Sequence, residues 1–236
     1  MNELKSMADL LDLQTVDTAI DKLLDDRANL PALAEYKTAH AAALEATAAL
    51  EEVKSRLRDL DLAVDKTEGE LEIAEAKLGL QEQRLFAGGM SAKETDNMRL
   101  EVESLRRQSS TMEDELLELL DQHETVQAET KAATEVSSVS SSTEKALEAA
   151  IAEAWRSIDI AIGRKEAQKK EIAPEVAEDL MDLYTELRTT RGGVVVGALD
   201  GRVCGACHIE LSAAEHHEAL QEDPPRCIHC GAILVP

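Results

Sequence analysis

"LFAGGMSAKE", Leu85–Glu94, interrupts a chain that otherwise reads as long helix on both sides. Gly88 and Gly89 permit the positive φ that a reversal between two helices needs. Ser91 and Glu94 have the spacing of a capping box, in which side chain and backbone of the two residues satisfy each other. The second arm is therefore expected to start at Ala92. The flanking pattern decides between a break and a reversal. From Ala32 the apolar spacing alternates 4, 3, 4, 3 through Tyr36, Ala39, Ala43, Ala46, Leu50, Val53, Leu57, Leu60, Val64, Thr67, Leu71, Ala74, Leu78, Gln81 and Leu85. Such a sustained heptad indicates a left-handed coiled coil.

Beyond the glycines the same rule resumes at Met98, Val102, Leu105, Ser109, Met112, Leu116, Leu119, His123, Val126, Thr130 and Ala133. It weakens over Ser137, Ser140 and Glu144, then recovers at Leu147, Ile151, Ala154, Ile158 and Ala161. Two like arms joined by a glycine turn predict an antiparallel hairpin with arms of roughly 120 Å at about 1.5 Å per residue. With the turn centred on Gly88 and Gly89, residue i is expected to face roughly residue 177 − i. That register sets the small-residue stretch AHAAALEATAAL (39–50) against AATEVSS (132–138). The run SSVSSST (137–143) reads either as continued helix or as a flexible linker, since serine is a mediocre helix former. Before Ala32, Leu13, Val16, Ile20, Leu23, Arg27 and Leu30 follow the heptad in a shifted phase, and Pro31 marks the shift.

Composition fits a thin seam rather than a thick core. The chain has 236 residues, 2% aromatic and 31% charged, with a formal charge of −23. Long helices are expected from such a mix. The acidity disfavours sequence-independent binding to nucleic acid, which needs many phosphate contacts. The first residues, MNELKSMADLLDLQ, are acidic and amphipathic, and no stretch has the length of a membrane span. The expectation is a cytoplasmic protein that does not engage a membrane. A helical rod has no deep concave pocket, and isolated His40 and His123 suggest surface or seam residues, so neither an enzyme nor a small-molecule substrate is expected.

Past the second arm, Pro174 reads as the first turn of a new helix, with Leu180, Leu183 and Leu187 on one face and Gly192 at its end. Then the pattern changes. VVVGALDGRVC (194–204) reads as two short strands around Asp200–Gly201. SAAE (212–215) is a second capping box, and AILV (232–235) a last strand. Within this region lie Cys204 and Cys207, then, after nineteen residues, Cys227 and Cys230. Two such pairs bring four thiolates to one ion in a tetrahedral site. One structural zinc is the expected cofactor. A rubredoxin-like iron site shares the ligands, but no aromatic residue lies in 191–236 to shield it. With four cysteine ligands no position is left for a catalytic water.

The domain reading is thus residues 1–172 as the antiparallel coiled-coil hairpin with its tip near 86–91, 173–191 as a connecting helix and 192–236 as a small β-rich zinc ribbon, mainly α in class. Two surfaces are candidates for partners. At the tip, Phe86, Met90, Lys93 and Arg99 combine apolar and basic character and suit either local packing or protein docking. Near the base, Arg164, Lys165, Lys169 and Lys170, with Arg188 and Arg191, read as a solvated face or as phosphate contacts.

Three segments carry a likeness to a known family: LLDLQTVDTAIDKL (10–23), RLFAGGMSAKETDNMRLEVESLRRQSSTMEDELLELLD (84–121), and VCGACHIELS (203–212) with CIHCGAILV (227–235). The chain resembles bacterial coiled-coil hairpin proteins with a C-terminal four-cysteine zinc ribbon. The resemblance implies a non-enzymatic adaptor or chaperone-like partner of the transcription apparatus, or a nucleic-acid-binding regulator. The closing residues AILVP lack the basic and aromatic residues often found there in the family, which counts against the second role.

Overall fold

The computed structural model describes residues 2–236, with side chains from Lys5 onward; Met1 and the side chains of 2–4, part of the acidic N-terminal run, lie outside it. In order, the elements are α1 (Asn2–Ala28), α2 (Pro31–Ala87), α3 (Ala92–Ile172), a 3-10 turn (Ala173–Glu175), α4 (Glu178–Arg191), β1 (Val196–Asp200), β2 (Val203–Cys204), α5 (Ala213–Ala219) and β3 (Ile233–Val235). Helices α2 and α3 form the long hairpin. Two compact units are present, residues 35–147, and residues 1–34 with 148–236. No helix among the described residues is long and apolar enough to cross a membrane.

The hairpin turn is built as its residues dictate. Gly88 and Gly89 have φ of 73° and 86°. The Ser91 N–H donates to Glu94 Oε2 at 2.8 Å, and Ser91 Oγ accepts from the Glu94 N–H at 3.4 Å. The Ser91 N–H, and the Ser91 hydroxyl donating to the same Oε2 at 2.7 Å, hold the Glu94 carboxyl below its ordinary value. Each heptad position named above on the two arms, from Ala32 to Leu85 and from Met98 to Ala161, is buried or half-buried. SSVSSST is helix throughout, with Ser137 and Ser140 half-buried on the seam. A serine costs little helix there, because it keeps the heptad phase and its small side chain fits the thin seam.

The register is a correction. Within residues 35–147, His40 Nδ1 meets Glu144 at 2.6 Å, Arg56 pairs with Glu129 at 3.1 Å, and His123 Nε2 meets Asp61 at 2.8 Å. These pairs follow about 185 − i rather than 177 − i, a shift of about one heptad. Two causes act together. The turn occupies residues 88–91, so its centre lies beyond Gly89. Side chains on a helix also lean toward its N-terminus, so in an antiparallel pair the residues that meet both lie further along the chain than the axial level suggests.

At Pro31 the helix breaks as expected, and the break explains a tryptophan. Proline has no N–H, so the carbonyl of Arg27, four residues earlier, loses its helical donor. The Trp155 indole N–H takes that place at 3.1 Å. Arg27 returns the contact: its guanidinium lies 5.1 Å from the Trp155 ring centroid and its Nε donates to Asp159 at 3.0 Å. Arg27 is therefore exposed rather than in the seam, because a charged group keeps its solvent and partner instead of entering an apolar face.

The unit of residues 1–34 and 148–236 has a true core. Met7, Leu10 and Leu13 of α1 pack with Leu180, Tyr184 and Leu187 of α4 and with Val195, Val196, Ile233 and Val235 around the sheet. Pro174 lies in the short 3-10 turn that opens at Ala173, not in α4. Val176 is extended and buried in this core, so α4 cannot begin until Glu178. Ser6 Oγ accepts the Ala177 N–H at 2.6 Å.

Two polar residues of α1 complete the core. Gln14, 2% exposed, accepts the N–H groups of Val195 at 2.8 Å and Val196 at 3.3 Å through Oε1. Asp17, 3% exposed, accepts from Tyr184 Oη at 2.6 Å and from Lys169 Nζ at 2.7 Å. Burial, then the hydrogen bond to Asp17, pushes the Tyr184 phenol far up.

A candidate metal centre of four cysteines

The sheet order is β2-β1-β3, with β1 antiparallel to β2 and parallel to β3. Asp200 pairs with Val203, so the hairpin turn is Gly201–Arg202, one residue later than the Asp200–Gly201 expectation. Gly201 supplies the positive φ, 61°, that the turn requires. The capping box at Ser212 and Glu215 forms, with Ser212 N–H donating at 2.7 Å and Ser212 Oγ accepting at 3.3 Å.

Both cysteine pairs fold into the same knuckle. In the first, the His208 N–H donates to the Cys204 carbonyl at 2.8 Å and the Cys204 N–H to the Ile209 carbonyl at 3.1 Å. In the second, the Gly231 N–H donates to Cys227 at 2.6 Å and the Cys227 N–H to Ala232 at 2.9 Å. The residue after each second cysteine is left-handed, His208 at φ 57° and Gly231 at 66°. Histidine tolerates that region better than most residues but less well than glycine.

The four sulfurs converge. Cys204 and Cys230 lie 3.8 Å apart, Cys207 and Cys227 3.9 Å, and all four ligand atoms fall within 4.8 Å of one another. A tetrahedron with metal–sulfur bonds of about 2.3 Å has edges of roughly 3.8 Å. The site thus fits one metal ion and none of the sulfurs is disulfide-bonded. Cys204 and Cys227 are buried, with Leu211, Ala219 and Leu234 packed beside them. Burial pushes the Cys204 and Cys230 thiols up. Burial also acts on Cys227, but the backbone N–H groups of Cys230 and His229, together with the Cys230 and Cys204 thiols, outweigh it and bring that thiol down. Among the described residues this is the one His, Cys or acidic cluster that could hold an ion besides ordinary surface carboxylates.

The other sequence-derived candidates are placed as follows. At the tip, Phe86 is 82% exposed. It lines an open cleft of about 460 Å³ together with Leu85, Arg99, Val102 and Arg106. Met90 is half-buried and Lys93 exposed, and neither lines that cleft. Most of the basic residues near the base are tied to groups of the fold. Lys169 is held by Asp17. Lys165 donates to Gln168 at 3.2 Å, and Arg188 reaches Asp21 at 3.0 Å. Arg191 donates to the carbonyl of Cys230. Arg164 and Lys170 are exposed. Sequence reading missed Gln14, Asp17, Tyr184 and Arg226. The first two carried a signal: polar residues one turn apart, set among Leu10, Leu13 and Val16 on the apolar face of α1.

Fold and site together define a helical-hairpin protein that carries a four-cysteine ribbon. The family described as the CT398-like coiled coil hairpin domain matches residues 13–192, and the chain belongs to that family. It is 29% identical over 229 residues to the uncharacterized protein Rv2229c of Mycobacterium tuberculosis strain H37Rv, covering 96% of this chain and 93% of the relative. A solved structure from Mycobacterium smegmatis superposes with a TM-score of 0.83 at 26% identity, covering 99% of this chain and 98% of that one. CT398 from Chlamydia trachomatis shares the fold, with a TM-score of 0.69 at 20% identity over 97% and 96% of the two chains. The resemblance read from the sequence is therefore correct.

Proposed function

We propose that the chain is a non-enzymatic interaction protein whose ribbon is stabilised by one zinc ion and whose hairpin tip receives a protein partner. The observation that carries this is the all-sulfur tetrahedron. Soft thiolates select zinc or iron, and four protein sulfurs leave no open coordination position. A ribbon without aromatic residues has little to shield a redox-active iron, which favours zinc. Such an ion holds together a segment too small for a core of its own. For the tip, the support is Phe86, an apolar side chain turned to solvent beside Arg99 on an open cleft. A large aromatic and an arginine are the residue types that most often anchor protein interfaces.

Two measurements test the two halves. Metal analysis of the purified protein is expected to give one zinc per chain, lost in Cys204→Ser; iron, or no metal, refutes the zinc assignment. A photo-crosslinking residue at position 86 is expected to give a discrete protein adduct in the native cell. The same residue at Glu68, on the exposed face of α2, is expected to give none. Identical adducts at both positions would remove the tip from the reading. Adducts with RNA or DNA in place of protein would favour a nucleic-acid-binding regulator instead.

A further inference from the structure

The two knuckles are alike in backbone but are held in different ways. Knuckle one is pressed against β1 by glycines. The Gly205 N–H donates to the Ala198 carbonyl at 2.8 Å. A Cβ on Gly197 would lie 2.5 Å from the Ala206 nitrogen. Knuckle two is gripped by side chains instead. Arg191, the last residue of α4, donates through Nη1 to the carbonyl of Cys230. Arg226, immediately before Cys227, donates through Nε and Nη2 to the next carbonyl, Gly231, at 3.3 and 3.2 Å. Gly231 admits Arg191 in a second sense besides its positive φ, since a Cβ there would run into the guanidinium.

Charge gives this grip a consequence. Residues 192–236 contain two cationic side chains, Arg202 and Arg226, against Asp200, Glu210, Glu215, Glu218, Glu222 and Asp223. Arg202 is paired with Glu210 at 2.7 Å. Four thiolates around a divalent ion leave two further negative charges. Arg191 and Arg226 are the cations bonded to the two successive carbonyls at the fourth ligand, those of Cys230 and Gly231, and Arg191 comes from outside the ribbon.

We infer that Arg191 is a positioning residue for the metal centre. It fixes the Cys230–Gly231 peptide and offsets the charge of the tetrathiolate, so metal retention depends on the last turn of α4. Binding linkage is reciprocal, so the bound ion in turn steadies that turn of α4. The inference rests on the reading of the four cysteines as a metal site.

The test uses the full chain loaded with zinc and titrated against a chromophoric chelator. Partners outside the first ligand sphere typically change metal affinity by about 10–100-fold when removed. Arg191→Ala is expected to weaken zinc within that range, and Arg191→Lys, which keeps a charge and a donor, to recover part of the loss. The cobalt(II) protein gives the readout that separates positioning from ligation. Its thiolate-to-metal bands should persist in Arg191→Ala, showing four sulfurs still bound, while exchange with zinc accelerates. Affinity of Arg191→Ala within twofold of wild type overturns the inference. Should that variant unfold, hydrogen exchange on wild type decides: the amides of residues 188–192 must slow when zinc is added, and equal exchange with and without the ion overturns it. If wild type binds no zinc that Cys204→Ser abolishes, the metal reading itself fails. Normal wild-type binding with an unaffected Arg191→Ala removes the role of Arg191 alone.

Discussion

Gln14→Leu tests what joins the N-terminal helix to the ribbon. Gln14 Oε1 accepts two N–H groups, Val195 at 2.8 Å and Val196 at 3.3 Å. Both valines are almost fully buried. Leucine fills a similar volume but accepts nothing. A buried donor left without an acceptor costs about 1–3 kcal/mol, and the longer bond to Val196 should stand at the low end. The two together cost roughly 2–4 kcal/mol, and the extra apolar burial returns about 1 kcal/mol. The expected net loss is therefore roughly 1–3 kcal/mol. Urea unfolding of the metal-loaded protein, followed by Trp155 fluorescence, measures it in the right place, since the single tryptophan lies in the unit of residues 1–34 and 148–236. The amides of Val195 and Val196 should also lose exchange protection. A variant within 0.5 kcal/mol of wild type, about the scatter expected of an ordinary surface change, with both amides still protected, would refute the role assigned to Gln14.

Three further outcomes follow from the same unit and its site. Trp155→Phe keeps an aromatic face for Arg27 but leaves the Arg27 carbonyl without its donor at the Pro31 break; a loss of about 0.5–1.5 kcal/mol in urea unfolding followed by circular dichroism is expected, and none would mean that water replaces the indole. Tyr184 has its folded-state pKa raised, so its contribution is complete below the unfolded value near 10 and is lost as pH rises above it; wild type should lose stability above about pH 10 at up to about 1.4 kcal/mol per pH unit, and Tyr184→Phe should remove that part of the slope. Gly205→Ala places a Cβ 2.6 Å from the Ala198 carbonyl oxygen, backbone against backbone, so zinc binding measured by chelator competition should weaken; unchanged affinity would show that knuckle one can move off β1.

What the sequence reveals and what it hides divide along one physical line. Features set by neighbours along the chain could be read directly. The capping boxes at Ser91 and Ser212, the glycine turn, the break at Pro31 and the two cysteine pairs each depend on residues within a few positions of one another. The heptad is also local in this sense: each seam residue needs only the 4, 3 spacing of its own helix, and every such position on the two long arms is shielded as a result. The register between arms is not local. It depends on the turn length and the lean of side chains, and an estimate from the glycines alone missed it by about one heptad.

The same line explains why the basic residues near the base cannot be sorted from the sequence alone. Along the sequence, Lys169, Arg188 and Arg191 differ from Arg164 and Lys170 in no visible way. In space each of the first three meets a fixed acceptor: Asp17, Asp21 and the Cys230 carbonyl. Asp17 and Asp21 lie one turn apart on α1, more than 140 residues before those cations. A charge becomes structural or available according to what the fold places opposite it. In so acidic a chain a lysine or arginine has many carboxylates competing for it. The informative residues were therefore the acceptors rather than the cations. Gln14 and Asp17 stand on an apolar helix face where burial is costly unless a specific partner arrives. Their presence there already implied that another segment must cover α1, and α4 with the first strand of the ribbon is what covers it.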